Sequence, residues 1–327
     1  MNHIKSVGIV ICLFLTTSIF AAGIEKKTEK SFDVSAGGTL DLDSEMGSVK
    51  ITSHPDKRVT ISILLIARTS NKHEAEDIFK DFELTFTKNG NDVRIEGNSI
   101  SRRLWSNSRL KVRYIVAVPQ NYNLNIETRG GKINVADIHG TVGLKTSGGS
   151  IVLGRIAGEV HAKTSGGIIR LESSTADAIL RTSGGGIRIG KVNGDVEVST
   201  SGGNIDVDVV QGNLKAVTSG GNLFFRNVNG NLIGRTSGGS IDAELTAQVN
   251  RSVELYTSGG NITLAIPADF KANLAASTFG GRVYTNLPVL AQGTISNSSL
   301  SGTINGGGPD VSLRTMGGNI EINGNVH

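Results

Sequence analysis

Residues 146–163 read TSGGSIVLGRIAGEVHAK, residues 164–181 TSGGIIRLESSTADAILR and residues 182–199 TSGGGIRIGKVNGDVEVS. Thr-Ser-Gly-Gly opens each block and opens three more, at Thr200, Thr218 and Thr236, always 18 residues on. Thr128-Arg-Gly-Gly extends the series one step upstream. Thr257-Ser-Gly-Gly and Thr278-Phe-Gly-Gly follow at steps of 21, and Thr315-Met-Gly-Gly comes 37 residues later. Self-similarity at a fixed period marks a repeat architecture, in which one unit cannot bury its apolar face without its neighbours.

Aligned on that Thr, the blocks fall into columns. Apolar pairs stand five and seven residues after it, as in Ile151/Leu153, Ile169/Leu171, Ile187/Ile189 and Ile205/Val207. Others stand four and two before it, as in Val160/Ala162, Ala178/Leu180 and Val196/Val198. A period of two reads as a half-buried strand. A Gly twelve after the Thr (Gly158, Gly194, Gly212, Gly230) marks a second corner. The unit is therefore strand, Ser-Gly-Gly turn, strand, Gly corner. The turn glycines Gly148, Gly149, Gly166, Gly167, Gly184, Gly185, Gly202, Gly203, Gly220, Gly221, Gly238 and Gly239 are expected to supply positive φ.

Equivalent strands of stacked units lie parallel, ~4.8 Å apart. The expected fold is all-β, a parallel β-solenoid with 18-residue rungs, right-handed by the usual hand of parallel crossovers. A left-handed hexapeptide helix fails, because six-residue steps from Ile151 reach Ala157 and Lys163. A propeller blade would need ~40 residues or more. Alternation turns the Thr inward, where the hydroxyls are expected to form an internal ladder.

Upstream of the array, residues 1–23 carry Lys5, an apolar run from Val7 to Phe20, and the small residues Ala21, Ala22 and Gly23. That is the layout of a secretory signal peptide, and the run is shorter than the ~20 residues a membrane span needs. The expected protein is exported, to the periplasm, the outer envelope surface or the medium, with no transmembrane segment in the mature chain. Cys12, the single cysteine, lies inside this segment, so the mature chain has no disulfide and no thiolate metal site. Loss of Lys5 with the segment lowers the net charge from +4 to +3, too weak a balance to imply nucleic acid.

Residues 24–127 lack the repeat and read as a β-rich cap. Arg58–Ala67 and Leu110–Val118 are strands, and Leu84–Thr87 pairs with Val93–Glu96 around Asn89-Gly90-Asn91. Asn71 with Glu74 suggests a capping box ahead of a short amphipathic helix through Ala75, Ile78, Phe79 and Phe82. Residues 128–327 are the solenoid, regular to about 285, with 310–327 as a last irregular rung.

Three sets of polar residues are candidates for chemistry. Five before each Thr stand Thr141, Glu159, Asp177, Asp195, Asn213 and Asn231. The stacked acids Glu159, Asp177 and Asp195 are candidate ligands for an oxygen-loving cation such as Ca²⁺, or a solvated corner column. Immediately before each Thr stand Lys145, Lys163 and Arg181, with Arg235 three rungs on, a ladder that suits an anionic glycan or serves as solubility charge. The loop 101–109 sets Trp105 among Arg102, Arg103 and Arg109, as in sites that dock sugars, or as a loop whose Trp packs on the cap. No phosphate loop, dinucleotide fingerprint, zinc-protease motif or nucleophile elbow occurs, and no cofactor is expected.

The signal peptide, the β-rich N-terminal segment and the Thr-Ser-Gly-Gly-x-Ile-x-Val units resemble the bacterial putative-adhesin family of secreted β-strand-repeat proteins. The resemblance covers nearly all of the mature chain. It implies a secreted or envelope protein and carries over no catalytic residues. With the residues above, the expected function is a non-enzymatic, adhesin-like envelope or cell-surface protein whose partner, read from the cation ladder, is an anionic polysaccharide or another envelope component. The alternative is a carbohydrate-active enzyme of β-solenoid type, a polysaccharide lyase or hydrolase. No insertion between residues 128 and 256 is bulky enough to wall a cleft around the acids, which counts against it.

Overall fold

The computed structural model describes residues 19–20, 23–100, 109–245, 251–291 and 296–325. Most of the signal-peptide segment, Cys12, and the loop residues Arg102, Arg103 and Trp105 lie outside the described residues. The protein is nearly all-β, with Lys72–Lys80 as the one helix among the described residues. None of these residues forms a helix long and apolar enough to cross a membrane. The chain divides into two units, residues 1–139 and 140–327.

In the first unit Gly23–Asp33, Arg58–Ala67 and Leu110–Pro119 form an antiparallel group, with Ile61, Ile63, Leu65, Val112 and Val116 buried. The hairpin is present as Phe82–Asn89 against Asp92–Ser99, closed by Gly90 at φ 59° and Asn91. Asn71 caps the helix through Oδ1, which accepts from the amides of His73 (3.0 Å) and Glu74 (3.3 Å). The capping box is not closed, because the Glu74 carboxylate is taken by the Thr69 hydroxyl and the Arg109 guanidinium.

The same unit holds a further rung, in the stretch expected to lack the repeat. Thr39–Ser44 lies parallel to Asn123–Thr128 with Ser44 opposite Thr128, and Ser48–His54 lies parallel to Ile133–Val135. Residues 40–51 (LDLDSEMGSVKI) therefore carry the repeat with Ser44 in the Thr place and Met46-Gly47 in place of the Gly pair. The Ser44 hydroxyl lies 2.7 Å from Tyr114 Oη, and burial pushes the Tyr114 phenol well above its ordinary range.

In the second unit each rung lends one strand to each of two parallel sheets. Before the turn run Val142–Thr146, Val160–Lys163, Ala178–Arg181, Val196–Ser199, Leu214–Val217, Leu232–Thr236 and Val253–Thr257. After it run Ile151–Ile156, Ile169–Ser174, Ile187–Val192, Ile205–Val210, Leu223–Val228, Ile241–Glu244 and Ile262–Pro267. The 18-residue period fixes the register, so that Ile151, Ile169, Ile187, Ile205 and Leu223 stack in one inward column. These side chains are buried, and each aliphatic one contributes roughly 1.5–3 kcal/mol by leaving water.

The repeat Thr is buried as alternation requires, from Thr146 to Thr315. Its hydroxyl does not bond the next Thr, however. Thr164 Oγ1 donates to the Gly149 carbonyl (2.7 Å) and accepts from the Gly167 amide (3.4 Å), and Thr182, Thr200, Thr218 and Thr236 repeat the arrangement. The internal ladder is one of hydroxyls tying each turn to the turn below it.

The reason for glycine in the turns also differs from the expectation. Among the repeat turns positive φ occurs at Gly47 and Gly131 in the first unit, and none of the twelve named glycines of the second unit adopts it. Close approach decides instead. A Cβ at Gly185 would stand 2.1 Å from the Gly167 carbonyl oxygen, and at Gly203 2.2 Å from that of Gly185. The first glycine of the pair has more room, with 3.5 Å at Gly184.

The last rung in sequence is not the last in space. Asp310–Thr315 pairs in parallel with Val253–Thr257 on one side and Ala272–Thr278 on the other. Ile320–Asn325 likewise lies between Ile262–Pro267 and Val283–Thr285. Its Thr315 and Gly317-Gly318 follow the regular pattern, with the Thr315 hydroxyl on the Gly260 carbonyl at 2.8 Å.

Candidate functional site

The cation ladder is assembled by strand register. Lys145 stands opposite Lys163 and Lys163 opposite Arg181 on the outer face of the sheet that precedes the turns. All three are exposed. The ladder is partly neutralised at its upper end. Arg181 Nη2 donates to Glu197 Oε1 at 3.2 Å, and Lys215 Nζ lies 3.9 Å from the same carboxylate. Arg235, beyond Ser199 and Val217 in the same column, pairs with Glu254 at 2.6 Å. Glu197 was missed in the sequence because it sits two residues from Ser199, one rung away from the arginine it faces. His161 lies 3.9 Å from Glu159 in the same exposed region.

The column five before each Thr has a structural use. Asp177 Oδ1 accepts from the Asp195 amide (2.8 Å), and Asp195 Oδ1 accepts from the Asn213 amide (2.8 Å). The Asn213 side-chain amide also donates to both Asp195 oxygens at 3.1 Å. Asn213 Oδ1 accepts in turn from the Asn231 amide at 3.0 Å. Each side chain thus caps the next rung's backbone at the corner. Among the described residues no group of three His, Cys, Asp or Glu is placed to hold a metal ion.

The Asp195 carboxyl is held below its ordinary range, first by the Asn213 backbone amide and then by its side-chain amide, with burial opposing. A depressed folded pKa contributes stability that is present above about pH 4 and lost as pH falls through the folded value. Asp195→Asn is expected to remove that acid-side loss and to cost ~0.5–1 kcal/mol at pH 7, since the amide oxygen keeps the Asn213 backbone bond while its nitrogen cannot accept from the Asn213 side chain. Urea unfolding of both proteins at pH 3 and pH 7 checks this, and a large loss at pH 7 would contradict the capping role.

A feature the sequence reading did not single out lies on the outer face of the other sheet. Six residues after each Thr, register lines up Arg170, Arg188, Asp206 and Phe224 across four neighbouring strands. Arg188 donates through Nε (3.1 Å) and Nη2 (2.8 Å) to Asp206 Oδ2. These residues, Gly186, Asn204 and Ile168, 43% exposed, border an open groove of ≈260 Å³. Its mark in the sequence is the column six after the Thr, where Arg170, Arg188, Asp206 and Phe224 recur at the 18-residue period.

A model of the family described as Toastrack DUF4097 matches residues 38–225 and 213–323. No curated protein matches the sequence. Among solved structures, the chain is similar to one described as a "putative adhesin" from Bacteroides fragilis, at 12% identity and TM-score 0.35, covering 92% of this chain and 97% of that one. It is also similar to a "putative cell adhesion protein" from Clostridium sporogenes, at 11% identity and TM-score 0.21, covering 92% and 100%. A third, a "putative lipid binding protein" from Parabacteroides distasonis, has 13% identity and TM-score 0.28, covering 92% and 97%.

Proposed function

The chain belongs to the Toastrack DUF4097 family, and from that premise we propose that it is an exported, non-enzymatic envelope or cell-surface protein, adhesin-like, that binds anionic polysaccharide. The observation that carries this reading is the in-register stacking of Lys145, Lys163 and Arg181 on an open sheet face. Stacked strands set these cations ~4.8 Å apart, close enough for their fields to add along an extended polyanion. The corner acids favour the non-enzymatic reading over a lyase or hydrolase, because Asp177 and Asp195 each commit an oxygen to the next rung's backbone.

Exposed charges are each worth little and are screened by salt, so affinity comes from the array. The protein is expected to bind polygalacturonate or lipopolysaccharide at low salt and to weaken steeply toward physiological salt. Changing Lys145, Lys163 and Arg181 together to Gln removes most of that salt-dependent binding. Binding and salt slope left untouched by the triple change would contradict the assignment to this column. The loop with Arg102, Arg103 and Trp105 is then the second place to test.

A further inference from the structure

Four residues after each Thr runs a second ladder of side-chain caps, and it stops at the groove. Asn204 Oδ1 accepts from the Asn222 amide (2.9 Å), and Asn222 Oδ1 from the Ser240 amide (2.8 Å). Ser240 Oγ accepts from the Asn261 amide (3.1 Å), and Asn261 Oδ1 from the Asn319 amide (2.8 Å). One rung below Asn204 the same place is Gly186, which has no side chain to offer. A Cβ there would lie 3.0 Å from the Asn204 carbonyl oxygen and 3.6 Å from its nitrogen, a tight fit, and the missing cap leaves a notch beside that amide. Among the described residues nothing accepts from the Asn204 N–H.

Asn204 is exposed, so water serves its N–H in the free protein and a ligand oxygen can take the place of that water. The notch is flanked by donors of the same sign. Arg170 and Arg188 stand opposite each other on adjacent strands, and the Asp206 carboxylate holds Arg188 in place through two bonds. Arg170 has no acid partner among the described residues. Ile168 and the half-buried Phe224 ring supply apolar surface on the two sides.

We infer that this groove is a discrete site for a carboxylate-bearing pyranose, a uronic-acid unit of an acidic polysaccharide, at the Gly186 notch. A guanidinium fork matches a carboxylate in a bidentate manner, which fits Arg170. A ligand oxygen in the notch takes the place of the missing Asn side chain and accepts from Asn204 N–H. The C–H face of the ring lies on Phe224 and Ile168, the use to which aromatic surface is put when one side of a ligand is apolar. Inorganic phosphate would use the same donors and leave the apolar walls idle. At ≈260 Å³ the groove falls below the ~300–1,000 Å³ usual for drug-sized ligands, which suits a short sugar segment.

The test is calorimetric titration of the purified protein with trigalacturonate, a neutral trigalactose and inorganic phosphate. Gly186→Asn restores the ladder, its Oδ1 accepting from the Asn204 amide, and fills the notch once the Asn204 carbonyl, 3.0 Å from the new Cβ, gives by a few tenths of an ångström. It is expected to fold, to protect the Asn204 amide from exchange and to weaken trigalacturonate binding by about tenfold or more, as is Arg170→Gln, which removes a charge-assisted bond. Made in the background of the triple Gln change at Lys145, Lys163 and Arg181, Gly186→Asn is expected to weaken trigalacturonate binding by the same factor again, which separates this site from the cation column. Undiminished binding in both Gly186→Asn and Arg170→Gln overturns the proposal, and so does equal binding of the neutral sugar or tighter binding of phosphate. If the parent binds no trisaccharide the groove site falls, while binding of long polyanions through the column is judged by its own triple variant.

Discussion

Gly185→Ala is expected to destabilise the protein by ~3 kcal/mol or more, while Gly184→Ala, one residue away, costs less than ~1 kcal/mol. The two glycines share a turn and a chemistry, and neither has positive φ. They differ in what stands below them. A methyl at Gly185 meets the Gly167 carbonyl oxygen at 2.1 Å and its carbon at 2.4 Å, both backbone atoms that no rotamer change can move. At Gly184 the nearest atom is the Gly166 oxygen at 3.5 Å, an ordinary contact. Relief at Gly185 requires two rungs to part, and the Thr182 hydroxyl bond to Gly167 (2.8 Å) goes with them. Because solenoid stability is approximately a nearest-neighbour sum, protection from hydrogen exchange is expected to fall around Thr164–Gly203 and to survive at Val253–Pro267. Urea midpoints of the two variants check the contrast, and equal midpoints would contradict it.

Thr182→Asp is the second large effect, again above ~3 kcal/mol, because it puts a carboxylate where a hydroxyl donates. Thr182 is 7% exposed, and its Oγ1 points at the Gly167 carbonyl oxygen while accepting from the Gly185 amide. A carboxylate keeps the second bond at most and faces the carbonyl as an unpaired charge. Thr182→Val separates charge from shape. It keeps the volume, leaves the Gly167 oxygen and the Gly185 amide without their shared partner, and is expected to cost ~1–3 kcal/mol. Thermal melts of the two variants place Asp well below Val. If Asp melts with the parent, the Thr does not face inward.

The repeat made the fold legible, because an 18-residue period with inward Ile, Val and Leu at fixed offsets has one parallel stacking that buries them all. It also gave the buried Thr, since alternation from Val160 and Ala162 leads directly to Thr164. What escaped depends on the neighbour above or below and not on the residue itself. Asp177 and Asp195 look like an acidic stack in one dimension, yet each is a cap for the next rung's amide. The turn glycines look like conformational specialists, yet the constraint is the carbonyl of the rung beneath. The rung at Leu40–Ile51 escaped because Ser44 and Met46 replace Thr and Gly, leaving the apolar offsets as its only mark. The intercalation of 310–325 cannot be read from order along the chain, and only pairing reveals it. At the groove, Arg170 and Phe224 stand 54 residues apart and share a surface only once three registers are known.

The central claim is the parallel 18-residue register, and engineered cysteines test it most directly. With Cys12 changed to Ser, Lys163→Cys and Arg181→Cys place two thiols on neighbouring strands, Cα partners ~4.8 Å apart and inside the range a disulfide spans. Lys163→Cys with Ser199→Cys places them two steps apart, ~9.6 Å and beyond that range. Under mild oxidation, mass spectrometry is expected to find the first pair joined within one chain and the second free. A bond in the second pair with none in the first would contradict the stacking that assembles both the cation column and the groove.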